Sequence, residues 1–182
     1  MSRRLKRRFR WTTSLLMLAV LLFSLAPKDG DAATPSNGSI SPDNPKATYT
    51  AGPFVVPNIT GTTGDVQCGT ATPCDDYHLT VNTPAGYGDD HILKIQIKWA
   101  NSTADFDLYV LDSEGNTVAT AASTSDPETV ILPPTSGEYT IRVVPYAPLG
   151  ETFTGTVTLE DKPKNNAKKA DVTPPTYHNY AA

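Results

Sequence analysis

His91–Asp112, HILKIQIKWANSTADFDLYVLD, decides the fold. It reads as two strands joined by a polar loop. In the first, Leu93, Ile95, Ile97 and Trp99 share one face, with Lys94, Gln96 and Lys98 on the other. In the second, Phe106, Leu108 and Val110 share a face, with Asp105, Asp107 and Tyr109 opposite. Side chains on a strand alternate between faces, so each strand is built to bury one side and wet the other. Asp112-Ser113-Glu114-Gly115-Asn116 then supplies the turn residues that close a hairpin toward Thr117–Ala121. The pair seeds a β core and carries no recognisable reaction centre.

Working outward, Tyr77–Val81 alternates with Tyr77, Leu79 and Val81 inward, and Glu138–Val144 with Tyr139, Ile141 and Val143 inward. Thr129–Leu132 and Phe153–Leu159 read as further strands, and Phe54–Ile59, broken by Pro57, as an edge strand or bulge. Turn signals recur throughout, with no helical period after the leader. The expected fold is all-β: a single antiparallel β-sandwich of about eight strands over residues 47–160, jelly-roll-like in form. Residues 33–46, rich in Pro, Ser and Asn, read as a flexible lead-in, and residues 161–182 as a flexible, linker-like tail.

The start of the chain is basic from Arg3 to Arg10, then apolar from Trp11 to Ala26, then small at Gly30-Asp31-Ala32. That order predicts a secretory signal peptide over residues 1–32, cut after Ala32 or Ala33, and a secreted product with no membrane attachment after leader removal. From Ala33 onward 8 Lys and Arg face 17 Asp and Glu, a net charge of −9. An acidic surface of this kind repels phosphate backbones, which excludes nucleic acid as a partner. The only cysteines, Cys68 and Cys74, follow the leader. In an oxidising compartment a close pair reads as a disulfide, here a local staple worth about 2.4 kcal/mol on the loop-entropy account.

Asp105-Phe106-Asp107-Leu108-Tyr109-Val110, the Gly115 turn and Gly137-Glu138-Tyr139-Thr140-Ile141-Arg142-Val143 together resemble the bacterial pre-peptidase C-terminal domain. The resemblance runs from about Asp75 to Leu159. It implies a β-sandwich module, usually non-catalytic, appended to secreted peptidases or other exoenzymes; relatives in collagenases bind substrate and calcium. Here the matching stretch directly follows the leader and no catalytic domain accompanies it, so a downstream exoenzyme domain is one expected partner.

The residues themselves point away from catalysis. The histidines are His78, His91 and His178, and no G-x-S-x-G, H-E-x-x-H or phosphate-loop motif occurs. Asp105 and Asp107, two apart on one strand, share a face and form the candidate metal site, with Asp89 and Asp90 able to join from a loop; calcium is the ion such oxygens would suit. The same pattern fits an acidic, solvated strand face, and that structural role is the reading adopted, with no cofactor expected. Tyr87, Trp99, Tyr109 and Tyr146 form the candidate ligand platform. The expected function is a secreted accessory module, not an enzyme, binding an extracellular polysaccharide or protein. A calcium- or carbohydrate-binding domain is the alternative.

Overall fold

The computed structural model describes residues 32–63 and 66–164. Nine strands fold into two sheets. They are β1 (Asn37–Ile40), β2 (Lys46–Ala51), β3 (Asp75–Val81), β4 (His91–Lys98), β5 (Asp105–Leu111), β6 (Thr117–Ala121), β7 (Glu128–Leu132), β8 (Gly137–Ala147) and β9 (Phe153–Asp161). One sheet runs β1-β3-β8-β5-β6 and the other β2-β9-β4-β7. All neighbours are antiparallel except β1 and β3. Two short 3-10 turns, Thr60–Thr63 and Tyr87–Asp89, complete the regular structure.

The alternating residues meet between the sheets. Leu93, Ile95 and Ile97 of β4 face Phe106, Leu108 and Val110 of β5, and all six are fully buried. Burying each such side chain is worth about 1.5–3 kcal/mol relative to leaving it in water. At one end the filling is aromatic: Phe106 meets Trp99 at 5.2 Å and Phe153 at 5.6 Å, and Tyr49 stacks on Tyr77 at 4.1 Å.

Four expectations need correction. The lead-in at 33–46 is part of the sandwich: β1 pairs in parallel with β3, and Thr34 bridges Thr50. Those contacts are made by backbone amides, which composition does not reveal. Phe54–Ile59 is no strand; the side chain of Asn58 takes up the bonds a neighbouring strand would have made. β9 continues to Asp161, and Lys162 donates from its backbone N–H to Asp90 O at 2.7 Å and from Nζ to Gly88 O at 2.6 Å, so the tail begins later than 161. With β2, Lys46–Ala51, also absent from the expected strands, the described residues hold nine rather than eight. Residues 1–31 of the expected leader and 165–182 of the expected tail lie outside the described residues. Among the described residues no helix is long and apolar enough to cross a membrane.

Candidate functional site

β5 carries Asp105, Asp107 and Tyr109 on the outward face of its sheet, as its period of two requires. Opposite them β8 is irregular. Asp105 pairs with Ala147 but Asp107 with Val144, so β8 spends one more residue than β5 over this span. Pro145 sits in the bulge, where its missing N–H costs no ladder bond. Its carbonyl accepts from Asn58 N at 2.8 Å, which lays the 54–62 loop across the bulge. The result is a cleft of about 320 Å³ walled by Gly61, Thr62, Tyr109, Ser123 and Tyr146, with Asp105 and Asp107 at its base.

A third carboxylate reaches the same place from the other sheet. Glu128, at the start of β7, is buried, and its Oε1 accepts from Ser123 N at 2.7 Å and Ser123 Oγ at 2.6 Å. Asp107 is only 9% exposed, and no hydrogen bond joins its carboxylate to another described residue. Burial, then the charges of Asp105 and Glu128, push its carboxyl up to about 6. Asp105 is raised by burial and Glu128, against the Phe106 N–H, and its Oδ1 is buried without a partner. Tyr109 is raised by burial and by Asp107. Each shift has the same leading cause, burial, reinforced by a neighbouring carboxylate. Of the bases in the sandwich, Arg142 is committed to Asp76 by two hydrogen bonds, Nε to Oδ1 at 2.7 Å and Nη2 to Oδ2 at 2.6 Å, and Lys94 pairs with Glu160 at 3.6 Å.

The remaining candidates disperse. Asp89 and Asp90 precede β4 whereas Asp105 and Asp107 follow it. Eight strand residues span about 26 Å, so the two pairs of carboxylates sit at opposite ends of the sandwich. Among the described residues, no three of His, Cys, Asp and Glu converge tightly enough to hold one metal ion. The aromatic platform does not assemble either. Trp99 continues the inward parity of β4 and is 4% exposed, its Nε1 donating to Ala104 O at 3.1 Å. Tyr87 stacks on His91 at 3.9 Å at the far end. Tyr109 and Tyr146 alone share the cleft. His78 is exposed beside Thr140, His91 pairs with Asp161 at 3.3 Å, and His178 lies outside the described residues.

Cys68 and Cys74 are bonded, with Cα atoms 5.4 Å apart. Asn58, 1% exposed, ties down the stapled loop: its Nδ2 donates to Gln67 O and Pro73 O, both at 3.0 Å. Neither Asn58 nor Glu128 stands out in the sequence, because each acts across a distance that periodicity does not report. Asp75 does carry a signal in the sequence: it shares parity with Tyr77, Leu79 and Val81, and a carboxylate on a core face requires a partner.

Residues 75–145 match the family described as the bacterial pre-peptidase C-terminal domain. Among solved structures, the chain is similar to the pre-peptidase C-terminal domain of a collagenase from Bacillus anthracis: 12% identity, TM-score 0.41, covering 68% of this chain and 94% of that one. It is also similar to PliG of Aeromonas hydrophila, a periplasmic inhibitor of g-type lysozyme: 16% identity, TM-score 0.35, covering 69% and 98%. No curated protein matches the chain.

Proposed function

We propose, on the premise that residues 75–145 match the bacterial pre-peptidase C-terminal domain, that this chain is an exported, non-catalytic accessory module binding a polymer or protein partner through its acidic cleft. That family is typically an accessory domain of secreted proteases, which supports an exoenzyme or its substrate as the partner. The leader over residues 1–32 supports export. The strand order supports a jelly-roll form for the sandwich: β2 to β9 nest as β2-β9-β4-β7 against β3-β8-β5-β6.

One observation carries the binding reading: Asp107 is a nine-tenths buried carboxylate, beside Asp105 and Glu128, and among the described residues it makes no ion pair. Such an arrangement costs stability, and local rules are broken where function needs the group. The rim is apolar. The loop that walls the cleft exposes Val55, Val56 and Ile59, and Leu149 joins them where Gly150 N donates to Phe54 O at 2.9 Å. A polypeptide with basic and apolar side chains meets both features. Equilibrium binding to a lysine- and leucine-containing polypeptide tests this. Asp105→Asn with Asp107→Asn should weaken it about tenfold or more, equivalent to about 1.4 kcal/mol. Equal affinity in the double variant would overturn the assignment of the cleft.

The second reading, a calcium- or carbohydrate-binding domain, draws on the unpartnered Oδ1 of Asp105. Calcium takes six to eight oxygens, so Asp105 and Asp107 would supply a minority of them. It requires that calcium raise the melting temperature.

A further inference from the structure

Another buried carboxylate makes no ion pair among the described residues, and the residue that meets it is Ala33. Asp75 opens β3 on its inward parity and is 3% exposed. Its Oδ1 accepts one hydrogen bond, from Ala33 N at 2.7 Å. Its Oδ2 has no partner, and neither has the hydroxyl of Tyr49 on β2, which lies close enough to feel the Asp75 charge. Burial pushes the Asp75 carboxyl up to about 6; the Ala33 N–H opposes that rise, and neighbouring Asp76 adds to it. The other titratable groups here are Tyr77, stacked on Tyr49 at 4.1 Å, and Arg142, which is taken by Asp76.

The chain enters this pocket abruptly. Ala32 is exposed and Ala33 is 4% exposed. Two backbone bonds, Thr34 N to Thr50 O at 2.8 Å and Thr50 N to Thr34 O at 3.1 Å, fix the next residue. An amide offers this pocket one donor and leaves two acceptors unmet. An α-ammonium offers three donors and a full positive charge.

We propose that Ala33 is the first residue of the exported chain and that its α-ammonium pairs with Asp75 in this pocket, with a further N–H for the Tyr49 hydroxyl. Leader removal then completes the fold. The inference rests on the export reading above. The step is hydrolysis: water adds across the Ala32–Ala33 peptide bond under a leader-cleaving protease, the carboxylate leaves on Ala32, and the amine on Ala33 takes up a proton. A cut after Ala33 would instead delete the donor and strand Asp75 in the core, a strongly unfavourable arrangement for a lone buried charge. The pocket therefore selects the first of the two cuts that small residues permit.

The test compares chains beginning at Ala32, Ala33 and Thr34, all running to Ala182. At pH 7 the chain from Ala33 should melt highest, by about 5 °C or more over the chain from Ala32. In the longer chain Asp75 keeps its raised value, so acid below about pH 6 should favour folding and narrow the gap. Asp75→Asn should remove the gap. Equal melting temperatures, or a gap that survives Asp75→Asn, overturns the pairing. Should that variant not fold, the α-amine of the Ala33 chain is titrated by nitrogen-15 NMR. A pKa above the ordinary value of about 8 is expected, and one at or below it overturns the proposal. N-terminal sequencing of the exported protein should read Ala33 first, and Thr34 first would overturn the assigned cut. A chain that is never exported refutes the export reading and the maturation step with it, while the melting comparison still judges the pocket.

Discussion

Tyr49 lies flat over Gly155, its partner across the β2–β9 pair, so closely that any β-carbon at position 155 would run into the ring. The glycine keeps the inward parity of β9 without a side chain, and the tyrosine fills the space from the next strand. The same ring stacks on Tyr77 and meets Phe153 edge-on at 6.0 Å, so it cannot withdraw without disturbing the core.

Gly155→Ala should therefore destabilise the protein, although alanine is no worse than glycine in a strand. Overpacking of this kind costs about 1–3 kcal/mol. Thermal unfolding measures it. Gly115→Ala is a poor control because of its positive φ of 84°, whereas Gly69→Ala, with only Thr72 Oγ1 at 3.6 Å, should be nearly silent.

Asn58 links two parts of the chain that the disulfide alone does not join. Its Oδ1 accepts from Thr60 N at 3.1 Å and Thr60 Oγ1 at 2.7 Å while its Nδ2 holds the stapled loop. Asn58→Leu removes the side-chain bonds to the half-buried Pro73 O and Thr60 N, at about 1 kcal/mol for each. Reducing the Cys68–Cys74 bond should cost less in that variant than in the wild type, because the loop is already released. A double-mutant comparison by chemical denaturation reads the coupling.

Asp107 gives a pH dependence whose sign follows from its raised carboxyl. The folded value of about 6 exceeds the unfolded one of about 3.9, so between them the folded chain holds a proton that the unfolded chain releases. That contribution to stability is complete below about pH 4 and is lost as pH rises through 6. Asp107→Asn should accordingly stabilise the protein at pH 7, on the order of 2 kcal/mol, and give no advantage at pH 4. Denaturant melts at the two pH values check it.

How much of this is legible in the sequence depends on what each residue touches. Leu93–Ile97 and Phe106–Val110 announce their strands because one face is wholly apolar and the period of two has no competitor. β1 escapes, since Asn37–Ile40 has one apolar side chain and is held by backbone bonds to β3. Asp105 and Asp107 share a face by parity alone. Glu128 joins them from the opposite sheet, a proximity no local pattern encodes, and Asp89 and Asp90 are kept away by the length of β4. Trp99 is legible as core from its parity with Ile97, and burial on that face keeps it out of a surface platform.

Calcium separates the two binding readings. If the cleft takes a basic group of a partner, then adding millimolar calcium, or a chelator, should leave the melting temperature of the free protein unchanged. A calcium-binding domain would gain stability by mass action, about 2.7 kcal/mol at 100 times the dissociation constant. A chelator-sensitive melting curve that becomes insensitive in Asp107→Asn would favour the second reading.

The most direct test of the cleft is an amide chemical-shift map recorded while a lysine- and leucine-containing peptide is titrated into the isotopically labelled protein. Perturbations should concentrate at Ile59–Thr62, Asp105–Tyr109, Ser123 and Tyr146, and weaken as salt is raised, because the attraction is electrostatic. Perturbations confined to the far end, around Thr83–Gly88 and Pro133–Ser136, or none at saturating peptide, would contradict it.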